Sequence, residues 1–275
     1  MRNVSTHYFI LLLLFLFSQK GDMHIEKAKL FQGKMAILSM VKYNNGILYA
    51  ARRMTKKSKW AMYYSEFGDD AKSFAKAKRI KVKTKQSKNP RHFVPGDYND
   101  ETNELYFTTA SNNHLAIAKG QLIGQELRDI ELLSINDKEH NFAHPTLSSD
   151  GNTLILSSSI DGNMNLYQYS KNAGFWTYER RILELESGYD EILPNLLNDS
   201  TLVFSSNREG GKGSFDLYIA KAESPNFWGE PVNLAELNTP NDEFSYFKID
   251  TASGYFTLAD TIYGSTDLYY YSHKE

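Results

Sequence analysis

Two apolar patterns follow one another along the chain. Residues 9–17 are nine apolar positions without a break, preceded by Arg2 and the amino terminus and followed by the polar run 18–22. Nine helical residues span about 13 Å, well short of the roughly 30 Å of a bilayer core. A short positive region, an apolar stretch and a small residue predict a secretory leader, 1–18, cut after Ser18. A buried N-terminal strand or a retained anchor is the other reading of that run. No cysteine follows it, which excludes a lipoprotein anchor. The expected destination is the periplasm or the extracellular space.

From there on the pattern changes to short apolar strands that repeat about every fifty residues. His144 to Ser157 leads to Asn165-Leu166-Tyr167, Leu193 to Ser205 leads to Asp216-Leu217-Tyr218, and Ser245 to Leu258 leads to Asp267-Leu268-Tyr269. Weaker copies run from Val94 through Leu105 to His114 and from Leu38 through Leu48 to Tyr64. Each unit reads as strand, tight turn, strand, loop, strand. The turns Asn44-Asn45-Gly46, Asp150-Gly151-Asn152 and Ser253-Gly254 suit positive φ. Stretches such as 78–82 and 128–133 read as a fourth, outer strand. Four antiparallel strands at this period describe a β-propeller blade, so the expected fold is all-β with five blades in one domain, 19–275. The repeats fall at about 34–85, 86–135, 136–186, 187–237 and 238–275. The last unit lacks an outer strand, and the orphan stretch 24–31 is expected to supply it and close the ring.

The strings Leu193-Pro194, Val203 to Gly211, Phe215 to Tyr218 and Trp228 to Leu234, with Asn238 to Glu243, resemble the TolB-type, WD-like propeller repeat. The resemblance is clear over residues 140–271 and faint over 36–120. Blade one lacks the proline and the aspartate before tyrosine, and blade two has His114 in the aspartate's place. The resemblance implies an exported, non-enzymatic module that contacts proteins.

Composition narrows the chemistry. There is no cysteine, so disulfides, thiol nucleophiles and Cys-based metal sites are excluded. Residues 210–214, Gly-Gly-Lys-Gly-Ser, miss the phosphate-loop pattern, because Lys212 is followed by glycine and then a strand. A glycine-rich hairpin fits better, with Asp216 bonding loop amides and Asn165 and Asp267 repeating that role. No D-x-D-x-D-G run offers a calcium loop, so neither metal nor cofactor is expected.

Converging side chains are expected at the tunnel mouth: His92, Phe142, Glu191 and Glu243 three residues before the repeat's proline position, with Asp190 and Asp242 beside the acids and His144 nearby. Such a group can bind a ligand, and a pair of carboxyls can also hydrolyse a glycoside. Repetition at equivalent positions instead favours backbone hydrogen bonds between blades. Trp176, Trp228 and Tyr269 to Tyr271 read as blade packing.

Charge is uneven. Residues 52–91 hold fourteen Lys and Arg against three acids, a local net of +11, although the whole chain is −2. Lys76, Lys78, Arg79, Lys81, Lys83 and Lys85 form a basic flank. It reads either as a site for an anionic polymer or acidic partner or as a solvent-facing strand edge guarded by lysines. The functional expectation is a non-catalytic binding or scaffolding propeller. Its partner would be another envelope or secreted protein, with no nucleic acid and no membrane span. A channel-centred glycoside hydrolase is the alternative.

Overall fold

The computed structural model describes residues 22–30, 35–55, 58–70, 72–84, 92–225, 227–259 and 265–273. The leader stretch and Lys85 lie outside the described residues. Blade I contains β2 (Met35–Tyr43), β3 (Gly46–Arg53), β4 (Ala61–Glu66) and β5 (Lys78–Arg79). Blade II contains β7 (Val94–Asn99), β8 (Glu104–Ser111), β9 (His114–Ile123) and β10 (Glu126–Leu132), with β6 (Lys81–Val82) on its outer edge. Blade III is β11 (Phe142–Leu147), β12 (Thr153–Ser158), β13 (Asn165–Asn172) and β14 (Phe175–Arg181). Blade IV is β15 (Glu191–Asn198), β16 (Thr201–Ser206) and β17 (Asp216–Ser224), its outer strand broken into β18 (Phe227–Trp228) and β19 (Val232–Asn233). Blade V is β20 (Asp242–Lys248), β21 (Ser253–Ala259), β22 (Thr266–His273) and β1 (Met23–Lys27). The innermost strands β2, β7, β11, β15 and β20 touch in that order and close on themselves. This is the five-bladed propeller that the repeats predict.

Second strands such as β12, Thr-Leu-Ile-Leu-Ser-Ser, are buried along nearly their whole length. Each blade is sandwiched between two neighbours, so both faces meet apolar side chains and strict alternation is lost. The cores lie between blades: Leu48, Met62, Leu105 and Phe107 between I and II, Tyr106, Leu154 and Trp176 between II and III, Leu185, Phe204 and Trp228 between III and IV. Trp176 and Trp228 are packing residues, while Phe175 and Phe227 beside them are exposed.

The orphan stretch closes the ring. β1 pairs antiparallel with β22, from Met23 opposite His273 to Lys27 opposite Tyr269. Beyond the strand, Ala28 N–H donates to the Leu268 carbonyl at 2.8 Å, and Ala28 and Leu30 are buried with Ile37, Tyr49 and Tyr255 between blades V and I. Lys29 bridges to Ser73 of blade I.

The basic stretch departs from the single outer strand that its sequence suggests. Blade I keeps only Lys78–Arg79. Ile80 turns into the I–II core, and Lys81–Val82 crosses to pair in parallel with β10 of blade II. Lys81 N–H donates to the Gln125 carbonyl and Lys83 N–H to the Leu127 carbonyl, both at 2.8 Å. The physical reason is Ile80: an apolar residue in a run of lysines can be buried only by bridging two blades.

Candidate functional site

Every innermost strand carries a register slip at a matching position, at 38/40, 95/97, 143/146, 192/195 and 244/247, and β15 carries a second at 196/198. Ser39, His144, Leu193 and Ser245 stand at four of these bulges with φ of 54°, 56°, 52° and 53°, and Gly96 stands at the fifth. Positive φ is rare for such residues, and a bulge re-aims the chain locally. Here the five positions line an axial channel together with Pro145, Pro194, Asn195 and Tyr246. Its open volume is about 20 Å³, room for about one water molecule.

A circuit of side-chain hydrogen bonds joins all five blades around this channel. Ser39 Oγ donates to the Pro95 carbonyl at 2.5 Å, linking I to II. Asp97 of blade II accepts the Leu147 N–H at 2.7 Å and the Thr146 hydroxyl at 3.1 Å, and Thr108 Oγ1 accepts the His144 N–H at 2.8 Å. Between III and IV, Thr146 Oγ1 accepts the Leu196 N–H at 3.1 Å and His144 Nδ1 the Leu193 N–H at 3.3 Å. Asn195 Nδ2 donates to the Tyr246 carbonyl at 2.7 Å, joining IV to V. Ser245 Oγ accepts the Ser39 N–H at 2.8 Å and returns to blade I. Desolvation pushes the Asp97 carboxyl up to about 6 and the His144 imidazole down to about 4, so His144 is neutral in its acceptor role.

The acids expected at the tunnel mouth lie between blades, and none of the four is among the residues lining the channel. Asp190 Oδ1 accepts the Met164 N–H at 2.9 Å. Asp242 Oδ1 accepts the Ser214 and Phe215 N–H groups at 3.1 and 3.0 Å. Asn141 does the same for Leu115 at 2.9 Å. Each ties the start of its own blade to the loop of the preceding one. Glu191 and Glu243 are both 0% exposed. Glu191 Oε1 accepts from Ser187 at 2.5 Å, Ser206 at 3.0 Å and Arg208 at 3.3 Å. Arg208 lies over the Phe204 and Tyr218 rings, 5.3 and 4.7 Å from their centroids. Glu243 Oε1 accepts the Thr239 N–H at 3.0 Å and its hydroxyl at 2.5 Å. Among the described residues, no group bonds the second oxygen of either glutamate. Burial raises the Glu191 carboxyl and pushes Glu243 up to about 7.

Glu243 therefore costs stability as it ionises. Its pKa is raised above the 4.5 of the free group, so stability is greatest below pH 4.5 and falls as pH rises toward 7, by about 3 kcal/mol. Glu243→Gln keeps the oxygen that Thr239 needs. It should raise stability by roughly that amount at pH 8 and change it little at pH 4, as urea melts at the two pH values would report.

His92 does not share the register of these residues. The bulges put Val94 in register with Phe142, Glu191 and Glu243, because Pro95 precedes its bulge whereas Pro145 and Pro194 follow theirs. His92 lies two positions ahead, outside β7. The loop-capping role read for Asp216, Asn165 and Asp267 holds for Asp216, which accepts the Lys212 and Gly213 N–H groups at 2.7 and 2.9 Å. Asn165 instead donates to the Asn163 carbonyl; Asp267 pairs with Lys27 at 2.7 Å, and the loop it would cap, 260–264, lies outside the described residues. The long loop before Asp216 folds back on it. Gly213 has no room for a side chain there, since a Cβ would stand 1.7 Å from the Asn241 carbonyl of the next blade.

Around the basic flank, Lys78 pairs with Glu66 at 3.0 Å and Lys83 with Glu126 at 2.7 Å. Among the described residues no acid pairs with Lys76, Arg79 or Lys81. No group of three His, Asp or Glu side chains is placed to hold a metal among the described residues, and no helix there is long and apolar enough to cross a membrane.

A groove of about 500 Å³ lies elsewhere, between blades III and IV. Asp97 and this groove escape the sequence reading: Asp97 sits one residue past a bulge that no turn motif announces, and the groove exists only once the two blades pack.

No protein-family model matches the chain, and no curated protein matches it in sequence. Solved structures do. TolB from Acinetobacter baumannii aligns at 14% identity with a TM-score of 0.51, over 86% of this chain and 54% of that one. What they share is the propeller. The sequence resemblance to the TolB-type repeat thus holds for the fold, and this chain spans about half the length of that TolB. A protein described as a glycoside hydrolase aligns at 9% identity with a TM-score of 0.60, over 99% of this chain and 97% of that one. A gluconolactonase from Xanthomonas campestris aligns at 12% identity and a TM-score of 0.53, over 92% and 90%. The fold is common to TolB, a glycoside hydrolase and a gluconolactonase, so it does not by itself assign a function.

Proposed function

We propose that this protein is an exported, non-catalytic propeller that binds another envelope or secreted protein. The observation that carries the reading is the burial of Glu191 and Glu243, both 0% exposed and neither among the residues lining the channel, whose open volume admits about one water. Glycoside hydrolysis needs two carboxyls on either side of a bound sugar, about 5–10 Å apart. A sugar ring does not fit such a channel. The alternative, a channel-centred glycoside hydrolase, draws on the fold shared with one over nearly the whole chain. The basic flank, with Lys76, Arg79 and Lys81 exposed, is the surface that would add contact with an anionic polymer.

The test uses Glu191→Gln and Glu243→Gln, with circular dichroism to verify folding. Partner affinity, measured by surface plasmon resonance after affinity capture from the envelope fraction, should change less than twofold. Release of nitrophenol from a panel of aryl glycosides should be absent in the parent protein. Hydrolysis by the parent that either folded variant abolishes would overturn the binding reading.

A further inference from the structure

The groove between blades III and IV has a defined chemistry. One wall is β12 and β13 of blade III and the other is the β17–β18 hairpin of blade IV. Its floor includes Ile155, Leu196 and Trp228, and the Phe227 ring stands at its lip, 48% exposed. Asp150, Asp199 and Glu223 also line it, and none of its lining residues is Lys, Arg or His.

The inner end is built firmly. Asp199 of blade IV accepts the Ser149 N–H at 2.8 Å and the Ser149 hydroxyl at 2.6 Å, pinning the two hairpin turns together. Hydrogen bonds from Ser148 and Asn152 hold the Asp150 carboxyl below its ordinary range, so it stays ionised. These carboxylates keep lone pairs beyond the bonds already made. Across residues 136–237, which comprise both blades, fifteen acids face seven Lys and Arg, a net of −8.

We propose that this groove takes an extended segment of a partner protein in which a Lys or Arg sits beside an apolar residue. The cation meets the three carboxylates and the Phe227 face, and its apolar neighbour covers Leu196 and the edge of Trp228. The volume is that of an ordinary ligand cleft. The acidic surroundings repel an anionic polymer and steer a basic segment toward the groove. A neutral sugar would leave the three carboxylates without a counter-charge. The proposal rests on the binding reading above and locates its contact surface.

The probe is a phage-displayed random heptapeptide library panned on the whole folded protein. Selected peptides should be enriched in Lys or Arg next to an apolar residue. Their affinity should fall at least tenfold in the double variant Glu223→Lys, Phe227→Ala, and weaken as salt rises. Phe175→Ala, at an exposed aromatic outside the groove, should leave it unchanged. Three outcomes overturn the proposal: selected peptides without cations, cationic peptides that bind the double variant equally, or sedimentation showing a self-association that Glu223→Lys disperses, which would make a second copy the occupant. Unchanged affinity of the double variant for the captured envelope partner would also overturn it while leaving the binding reading standing. Glycoside hydrolysis would instead strike at that reading.

Discussion

Deleting residues 23–30 is expected to lower the thermal midpoint by about 10 °C and to make the protein aggregate. The segment supplies five ladder pairs along β22 and buries Ala28 and Leu30 between blades V and I. Burying Leu30 is worth about 2–3 kcal/mol, and the hydrogen bonds net about 0.5–1.5 kcal/mol each, opposed by the entropy of ordering eight residues. A loss on the order of 5 kcal/mol results, and in a domain of this size each kcal/mol moves the midpoint by about 2 °C. The ion pairs of Glu26 and Lys27 are partly exposed and add little. The deletion also bares the β22 edge, an unpaired row of donors and acceptors that templates association. Calorimetry with light scattering would report both effects. A midpoint within 2 °C of the parent would mean that the ring holds without its closing strand. Leu30→Ala should reproduce about half the shift with no aggregation, because it leaves the ladder intact.

Below pH 4, Asp97→Ala should cost about 3 kcal/mol, because it strips the acceptor from the Leu147 N–H between blades II and III and from Thr146. Asp97→Asn separates the hydrogen bonds from the charge. The Asp97 carboxyl rises from 3.8 to about 6 on folding. Its favourable contribution is therefore complete below pH 3.8 and lost as pH climbs through 6, by about 3 kcal/mol. His144 runs the other way. Its pKa falls from 6.5 to about 4, so its contribution is present above pH 6.5 and lost as pH falls through 4. The difference between the Asp97→Asn and parent profiles isolates Asp97. The variant should lose relative stability below pH 4, where it gives up one bond, and recover it by pH 7. A difference that does not change with pH would show that Asp97 is not desolvated between blades II and III. In His144→Phe the Leu193 N–H loses its acceptor, and the acid-side fall should disappear with it.

Much of the architecture could be read along the chain. The fifty-residue period, the Asp-Gly and Asn-Gly turns and the orphan stretch before the first repeat lead to five blades and their closure, because strand burial and turn chemistry are local. The register of the first two blades could not be read that way. Spacing from Pro95 points to His92, but the bulge at Gly96 moves the equivalent position to Val94. Lys81 and Val82 alternate like the outer strand of blade I, yet pair with blade II because Ile80 needs both blades to be buried. For the tunnel-mouth acids, repetition along the sequence already pointed toward backbone bonding between blades. Which oxygen is bonded and which is orphaned depends on loops that meet only in the closed ring.

The sequence by itself determined the all-β class, the blade period, the absence of thiol chemistry and the separation of a basic flank from an acidic remainder. These follow from residue type and spacing. The tertiary structure alone decided how wide the channel is, which acids are buried, where the basic stretch changes blades and that a groove opens between blades III and IV. Each of these is set by how five twisted sheets pack around one axis, which residue type and spacing do not specify.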